Sequence, residues 1–403
     1  MAKLDNAWIF DGARSPFGRH AGALSSVRPD DLMAMTANAL LSRHPQVVKH
    51  LEDVYLGCAN QAGEDSRCIA KHVGLLAGLP VESAGVVFQR NCGSGLQAVV
   101  SAAHALQVGE ANALLVGGVE SMSRAPIVMS KAESAYSKEQ RIFDSALGAR
   151  FPNSKIELQF GADTMPQTAD NLALQFGLTR ERCDAFAFRS QRRTESARSS
   201  GRLAREIIPL RLQPRRGDPV DVLLDEHPRP DITEESLAKL RPLFSGGVTT
   251  AGNASGINDG AVGLLMGSVS AGEKFGIQPM GRVIASASVG VEPRIMGYGP
   301  VPASQKALAR AGLNIRDMDV IEINEAFAAQ VLACVDGLDL AETDDRLNPN
   351  GGAIALGHPL GASGPRLVLT ALHELRERGG RYALVSMCIG VGQGIAVVLE
   401  RTS

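Results

Sequence analysis

The chain has 403 residues, of which 44% are hydrophobic and 21% are charged, and its formal net charge is −2 at pH 7. This length and composition predict a soluble protein with two or three domains. The small net charge gives no electrostatic reason to expect binding to nucleic acid or to an anionic membrane, and no apolar run approaches the roughly 20 residues that span a bilayer.

The cysteines and the two chain ends further limit the kinds of site and the cellular location that we expect. The chain has six cysteines without a C-x-x-C pair, so neither a zinc site nor a disulfide framework is predicted. The first residues lack the basic and apolar regions of a secretory signal, and the ending Arg401-Thr-Ser does not form a peroxisomal signal. We therefore expect a cytoplasmic protein without a metal ion.

In chain order, the first segment with reactive potential is Asn91-Cys92-Gly93-Ser94-Gly95, directly before apolar residues at helical spacing. A cysteine at a helix N-terminus lies near unpaired N–H groups and near the positive end of the helix dipole. Both effects lower a thiol pKa from its reference of about 8.5 and favour the nucleophilic thiolate. The alternative is a buried structural cysteine.

The helix predicted after Cys92 has a second copy near the other end of the chain. Residues 94–116 align with residues 363–385 at a constant offset of 269, with eight identities in 23 positions. A looser echo pairs Asp53 with Asp319 at an offset of 266. We interpret this as a duplicated α/β layout around a pseudo-two-fold axis; the alternative is chance similarity between two helix–strand units.

The duplication predicts which distant loops meet. At the same offset, position 92 corresponds to Gly361, and position 119 corresponds to Cys388. Equivalent loops meet near a two-fold axis, so we expect the loops of Cys92 and His358 to share one pocket. The arginine-rich segment 121–245 between the two halves is interpreted as an inserted lid or loop domain.

Two polar loops follow this segment. Asn253-Ala-Ser255-Gly-Ile-Asn258-Asp-Gly260 precedes an apolar run, and Ser255 could bind an amide of a ligand or only shape a turn. Asn324-Glu325-Ala326-Phe327 follows the apolar strand Val320-Ile-Glu-Ile, and open α/β folds place function at this end of a strand. Asn324 could orient His358 or hold a water, and a helix N-cap role is compatible with both.

The last two motifs supply further reactive groups. His358 stands between Gly357 and Pro359 in a glycine-rich loop and is the natural base for Cys92. Cys388 opens a second glycine-rich turn, and a second thiol suits proton transfer on carbon. The backbone N–H groups of this turn, which includes Gly390, could hold an oxyanion.

Taken together, these motifs resemble the thiolase family of acyl-CoA C-acyltransferases along nearly the whole chain. The resemblance implies a duplicated five-layer αβαβα fold with an inserted loop domain. The halves would comprise 1–120 with 246–275 and 276–403, and the insertion, 121–245, would cover coenzyme A (CoA).

The resemblance also implies catalytic roles. Cys92 attacks the 3-keto carbon of a 3-oxoacyl-CoA while His358 takes its proton, and Cys388 protonates the acetyl-CoA enolate. His358 and a water on Asn324 would stabilise the first oxyanion, and the N–H groups of Cys92 and Gly390 the second.

For binding, the resemblance implies that CoA is a substrate and that no cofactor is tightly held. The residues that match the family's CoA contacts are Ser255, Arg229, Met165, Phe327 and Ala326. The family implies a homodimer or a homotetramer in which the loop domain bridges the pairs.

Within the family, the chain looks like the 3-oxoadipyl-CoA thiolases, on stretches such as Tyr55-Leu-Gly-Cys-Ala-Asn-Gln-Ala-Gly-Glu-Asp and Met122-Ser-Arg-Ala-Pro. Gly93 stands where we expect alanine, and Cys92-Gly-Ser-Gly is commoner among acetoacetyl-CoA thiolases, so an acetoacetyl-CoA or general 3-ketoacyl-CoA thiolase is the alternative. More remote alternatives are a ketoacyl synthase, a silent binding protein with this fold, and a redox switch through a Cys92–Cys388 disulfide.

Overall fold

The computed structural model describes residues 6–213 and 217–402. Residues 1–5, on which the expected lack of a secretory signal partly rests, lie outside the described residues, as do Ser403 and residues 214–216 of the predicted insertion. Among the described residues, no helix combines the length and the apolar character needed to cross a membrane.

The strands, in chain order, are β1 (Trp8–Arg14), β2 (Gly18–Arg19), β3 (Asp53–Gly57), β4 (Val86–Phe88), β5 (Ala113–Ser121), β6 (Ile127–Met129), β7 (Ile142–Asp144), β8 (Leu210–Leu212), β9 (Val220–Val222), β10 (Asn258–Gly267), β11 (Gly281–Gly290), β12 (Val320–Ile323), β13 (Tyr382–Ile389) and β14 (Gln393–Arg401). The helices are α1 (Pro29–Leu41), α2 (Ile69–Leu76), α3 (Ser94–Val108), α4 (Ser154–Phe160), α5 (Met165–Phe176), α6 (Arg180–Ser199), α7 (Glu234–Ala238), α8 (Val269–Phe275), α9 (Pro300–Ala311), α10 (Ala328–Gly337), α11 (Ala353–Leu356) and α12 (Leu360–Arg378).

The main sheet consists of two similar halves. One half has the order β4-β3-β5-β10-β1, and the other has the order β12-β13-β14-β11. In each half, a parallel pair (β3 with β5, β12 with β13) is followed by two antiparallel pairings. The halves join where β1 pairs with β11 over a short register, Trp8 with Arg282 and Ile9 with Gly281.

Helices cover these sheets in alternate layers, which confirms the predicted five-layer αβαβα fold. Helices α1 and α2 pack on the outer face of the first half, and α9 and α10 enclose the second. Helices α3 and α12 lie between the halves and share one apolar core with strands of both. The segments of the internal repeat are therefore the two central helices and the strands β5 and β13 that follow them.

Glycines bring the two central helices into backbone contact. A Cβ atom on Gly95 would lie 2.0 Å from the carbonyl oxygen of Gly361, and one on Gly364 would lie 2.4 Å from the nitrogen of Leu96. A Cβ atom on Gly361 would lie 2.4 Å from the carbonyl oxygen of Gly57. Any side chain at these positions would push the helices apart, so glycine is required for this close approach.

The segment between β5 and β10 carries the hairpins β6–β7 and β8–β9 and the helices α4 to α7. The segment begins where strand β5 of the first half ends, and it ends where strand β10 of the same half begins. The predicted boundaries of the halves and of the insertion, 121–245, remain predictions.

Candidate active site

His358 lies between α11 and α12, and its ring is held by a hydroxyl. Its Nδ1 is 2.6 Å from Ser363 Oγ, which itself lies 2.9 Å from the carbonyl oxygen of Pro359. Because the carbonyl can only accept, the serine donates to it and accepts from Nδ1–H. The lone pair is thereby assigned to Nε2, which lies 3.4 Å from Asn324 Nδ2. His358 therefore presents Nε2 as a proton acceptor.

The loop that carries His358 is fixed by Asn258. The backbone N–H of His358 donates to Asn258 Oδ1 at 2.9 Å, and Asn258 Nδ2 donates to the carbonyl of Gly18 at 2.8 Å. Gly357 has a φ of 99° and passes so close that a Cβ atom would lie 2.4 Å from the Asn258 side chain. The short Gly-His-Pro sequence thus needs glycine both for its backbone angle and for space.

The environment of His358 favours the neutral imidazole. His358 is only 5% exposed, and burial, with a smaller effect of the Arg366 guanidinium, lowers its pKa to about 4. Arg366 is buried as well, and its Nη1 lies 3.3 Å from Glu322 Oε2. A neutral imidazole at pH 7 can act as a base.

Cys92 lies in the turn before α3, and backbone donors face its sulfur. Its own N–H and the N–H of Gly390 act on the thiol and favour the thiolate, but burial outweighs them and raises the pKa of Cys92 to about 11. The predicted lowering of this pKa was therefore wrong in direction. The helix terminus does supply N–H donors, yet they offset only part of the hydration that the surrounding protein removes from the thiolate.

Asn91 joins the loop of Cys92 to the turn of Cys388. Its φ of 45° is left-handed, a conformation that asparagine tolerates better than most residues. Its Nδ2 donates to the carbonyl of Gly390 at 3.1 Å, while its Oδ1 accepts from Gln89 at 3.1 Å. This bond fixes Gly390, whose N–H faces Cys92.

Cys388, near the end of β13, is 1% exposed and packs in an apolar cluster with Ala326, Phe327 and Met296. Burial raises its pKa well above the usual range, and the neighbouring Cys92 thiol adds to this shift. The two thiols are therefore close, and Cys388 is protonated at neutral pH.

Asn324 follows β12 and is fully buried. Its backbone N–H donates to the carbonyl of Ser386 at 2.9 Å, and its Oδ1 has no hydrogen-bond partner among the described residues. It is not an N-cap, because α10 begins four residues later and is preceded by Phe327. Asn324 instead directs its amide at His358.

Four of the five predicted CoA contacts lie together beside the reactive groups. Ser255 donates its N–H to the carbonyl of Ala326 at 2.9 Å, and the adjacent Ala254 pairs with Phe327. Met165, the first residue of α5, has its sulfur 3.4 Å from where a Cβ atom on Gly390 would be. Arg229 is exposed, and its backbone N–H donates to Gln191 at 2.9 Å.

Sequence reasoning missed three supporting residues. Ser363 was noted only as a repeat position, and Asn258 only as part of a glycine-and-amide loop. The third, Glu120, is buried at the end of β5, where it accepts from the N–H groups of Ala59, Asn60 and Gly361, each at 2.9 Å. No local pattern marks these partners, since each depends on a distant segment.

Cys58, Asp65 and Glu120 bring possible metal-binding atoms within 4.8 Å of one another. The Cys58 thiol, however, donates to the carbonyl of Asn60 at 2.9 Å, and Glu120 is engaged by backbone donors. We interpret this cluster as structural.

Comparison with known proteins places this geometry in context. Two family models, "Thiolase, N-terminal domain" and "Thiolase, C-terminal domain", match residues 7–270 and 277–401. The chain is 54% identical to a beta-ketoadipyl-CoA thiolase of Acinetobacter baylyi and 54% identical to a 3-oxoadipyl-CoA/3-oxo-5,6-dehydrosuberyl-CoA thiolase of Escherichia coli, over 99% of this chain and 100% of each relative. The crystal structure of human mitochondrial 3-ketoacyl-CoA thiolase in complex with CoA superposes with a TM-score of 0.92 at 40% identity, covering 100% of this chain and 99% of that one.

Proposed function

This chain belongs to the thiolase family of acyltransferases, and on that premise we propose that it cleaves 3-oxoadipyl-CoA with CoA to give acetyl-CoA and succinyl-CoA. The observation that carries the choice of substrate is the 54% identity, over 99% of the chain, to relatives named for that substrate. The reaction is reversible, and in the other direction it is a Claisen condensation. The two thiolase domain models together span most of the chain, and we therefore do not retain the ketoacyl-synthase alternative.

In the first half-reaction, the Cys92 sulfur attacks C3 of the substrate while His358 Nε2 takes the thiol proton. The C2–C3 bond then breaks, its electrons pass to the acetyl-CoA enolate, and Cys388 donates a proton to C2. The raised pKa of Cys388 supports this role, because the thiol is protonated when the enolate forms. The acyl group remains on Cys92 as a thioester.

In the second half-reaction, CoA gives its thiol proton to the Cys388 thiolate and attacks the acyl-cysteine. Cys92 leaves and recovers its proton from the His358 imidazolium, so that every group returns to its starting state. The N–H groups of Cys92 and Gly390 face the Cys92 sulfur, which supports their role as donors to the second oxyanion. The Oδ1 of Asn324 has no hydrogen-bond partner among the described residues, which supports a water held beside His358 for the first oxyanion.

CoA enters this scheme as a substrate. Ser255, Ala326, Phe327 and Met165 would line the passage for pantetheine, and exposed Arg229 would meet the nucleotide end. The homodimeric or homotetrameric state and the cytoplasmic location remain predictions from the sequence.

The test is CoA-dependent cleavage of 3-oxoadipyl-CoA, acetoacetyl-CoA and a medium-chain 3-oxoacyl-CoA, with Cys92→Ala as the control. We expect kcat/KM for 3-oxoadipyl-CoA to exceed the others by about tenfold or more. A preference for acetoacetyl-CoA would refute the proposed substrate. Equal inactivity of the wild type and Cys92→Ala toward all three would refute the proposed reaction.

A further inference from the structure

The proposed substrate ends in a second negative charge. In 3-oxoadipyl-CoA, two methylene groups separate the attacked carbon from a distal carboxylate. Burying an unpaired carboxylate is costly, so an enzyme that prefers this substrate needs a cationic partner close to Cys92.

The surroundings of Cys92 indicate the side on which that partner lies. Ala326 and Phe327 pack on Cys388, and Met165 lies beside Gly390, so the CoA portion occupies the Cys388 side of the thiol. We take the acyl chain beyond the attacked carbon to extend away from this cluster. Glu120 lies beside the loop of His358, where its Oε2 accepts from the N–H of Gly361 at 2.9 Å, and its carboxyl adds to the effect of burial on the pKa of Cys92.

An arginine from the inserted segment reaches this side. Arg150, between β7 and α4, is half-buried, and its Nη1 donates to Asn60 Oδ1 at 3.1 Å. Asn60 is 7% exposed and is held at both ends: its N–H donates to Glu120 Oε1 at 2.9 Å, and its Nδ2 donates to Ser145 Oγ at 3.0 Å. Arg150 is thus linked through Asn60 to Glu120, which also binds the backbone of the His358 loop at Gly361.

The charge of Arg150 is not neutralised by an ion pair. Arg124 pairs with Glu64 and Arg294 pairs with Asp163, each at 2.6 Å, whereas no carboxylate oxygen of the described residues lies within 4.0 Å of the Arg150 guanidinium. Most N–H groups of the Arg150 guanidinium have no partner among the described residues, and their planar arrangement suits a carboxylate.

Two buried acids near Arg150, Asp65 and Glu120, increase the need for a cation at this place. Burial raises the pKa of Asp65, with Arg150 among the groups that lower it, and burial raises the pKa of Glu120 to about 7. In their ionised forms, these two acids would repel a dicarboxylate substrate if no cation lay beside them.

We infer that Arg150 binds the distal carboxylate of the acyl group and so determines the preference for a dicarboxylate substrate. This inference rests on the proposed function. Asn60 orients the guanidinium through one bond and leaves the rest of it free for the substrate.

Arg90 provides a matched control. It is also half-buried and has no carboxylate partner among the described residues, and it stands two positions before Cys92. Its Nη1, however, lies 3.4 Å from Gln393 Oε1, which places it on the turn between β13 and β14 and therefore on the Cys388 side.

The experiment compares 3-oxoadipyl-CoA with 3-oxohexanoyl-CoA, which has the same chain length and a methyl end. For R150Q we expect kcat/KM to fall about 100-fold with the dicarboxylate and to change less than about threefold with the neutral substrate. R150K should retain part of the preference, with a loss of about tenfold, because it keeps the charge without the planar fork. R90Q should leave the ratio of the two rates unchanged.

Equal losses with both substrates in R150Q would overturn the inference, since Arg150 would then act only by supporting Asn60 and Glu120. An unchanged preference in R150Q would overturn it too, and a lost preference in R90Q would assign the role to Arg90. If R150Q does not fold, R150K decides: an unchanged preference refutes the inference. Failure of the proposed function is visible separately, because the wild type would then show no preference for 3-oxoadipyl-CoA.

Discussion

One hydroxyl decides which nitrogen of the His358 imidazole is basic. Ser363 is placed to accept from Nδ1–H of His358 because its own proton goes to the Pro359 carbonyl. Without this acceptor the ring can turn or change tautomer, and Nε2 is no longer held toward the substrate. In the proposed reaction, the serine therefore acts through His358, as a positioning residue.

We expect Ser363→Ala to lower kcat about 10- to 100-fold while KM changes little. A purely structural loss would instead reduce the folded fraction and leave kcat per active site intact, which titration of Cys92 with an alkylating agent would reveal. Ser386→Ala is the control, because Ser386 is equally buried and its Oγ has no partner among the described residues. Similar kcat values for Ser363→Ala and the wild type would contradict the assigned tautomer.

The thiol pKa of Cys92 predicts how the free enzyme reacts with alkylating agents. A pKa of about 11 for Cys92 and of about 4 for His358 means that both groups are neutral at pH 7, without a standing thiolate–imidazolium pair. We expect the rate of Cys92 modification by iodoacetamide, followed by mass spectrometry, to rise continuously from pH 7 to pH 10. Cys92→Ala identifies the modified site. A plateau that begins below about pH 8 would indicate a stable ion pair and refute this description.

Gly93 lies at the start of α3, and a side chain at this position would point into the core. Its φ of −81° suits any residue, but a Cβ atom would lie 2.6 Å from Ile389 Cδ1. We therefore interpret Gly93 as a packing position between α3 and β13 and not as a contact of the acyl group.

We expect Gly93→Ala to cost about 1–2 kcal/mol in the free energy of unfolding, measured by urea denaturation, and to leave the ratio of kcat/KM values for 3-oxoadipyl-CoA and acetoacetyl-CoA unchanged. The double variant with Ile389→Val, which removes the contacting methyl group, should recover most of the lost stability. A shift in preference toward 3-oxoadipyl-CoA in Gly93→Ala would show that the position contacts the acyl group.

Elements were easier to predict than their environments. Helical spacing and the repeat located α3 and α12, and the apolar run Val320-Ile-Glu-Ile is the strand β12. The direction of the Cys92 pKa shift was missed because it depends on burial by segments almost 300 residues away. The role of Ser363 was not predicted for a related reason. Serine is common in helices, and only the folded loop brings Ser363 to His358.

A buried ion cluster connects the inserted segment to both halves of the chain. Glu206, after α6, pairs with Arg14 of β1 at 3.2 Å and with Arg202 at 2.7 Å, and it accepts from Thr370 of α12 at 3.1 Å. Burial alone would raise the pKa of Glu206, but Arg202 and Arg14 hold it at about 2. Since this pKa is depressed, the stabilisation is present above about pH 4.5 and is lost as the pH falls toward 2.

We expect Glu206→Gln to reduce the free energy of unfolding by about 3–5 kcal/mol at pH 7, since it removes the buried anion that two arginines share. Arg14 then keeps only Asp225 as an ion-pair partner, and Arg202 keeps only Glu374 and Glu377, among the described residues. Urea denaturation should also show that the difference between wild type and variant shrinks as the pH falls below about 4.5. Glu377→Gln, which removes a half-exposed acid beside Arg202, should cost less than about 1 kcal/mol. Equal costs for the two variants would contradict the role of the buried cluster.

The pseudo-two-fold axis creates two equivalent places in the fold, and only one of them can do chemistry. In one of these places, Cys92 approaches Cys388. In the place related to it by the two-fold axis, Gly361 lies against Val119, and the carbonyl oxygen of Val119 is only 2.5 Å from where a Cβ atom on Gly361 would be. A cysteine at position 361 could not be accommodated there. With glycine at this position, the loop that carries His358 packs directly against the start of α3, so that a single thiol, Cys92, meets a single imidazole.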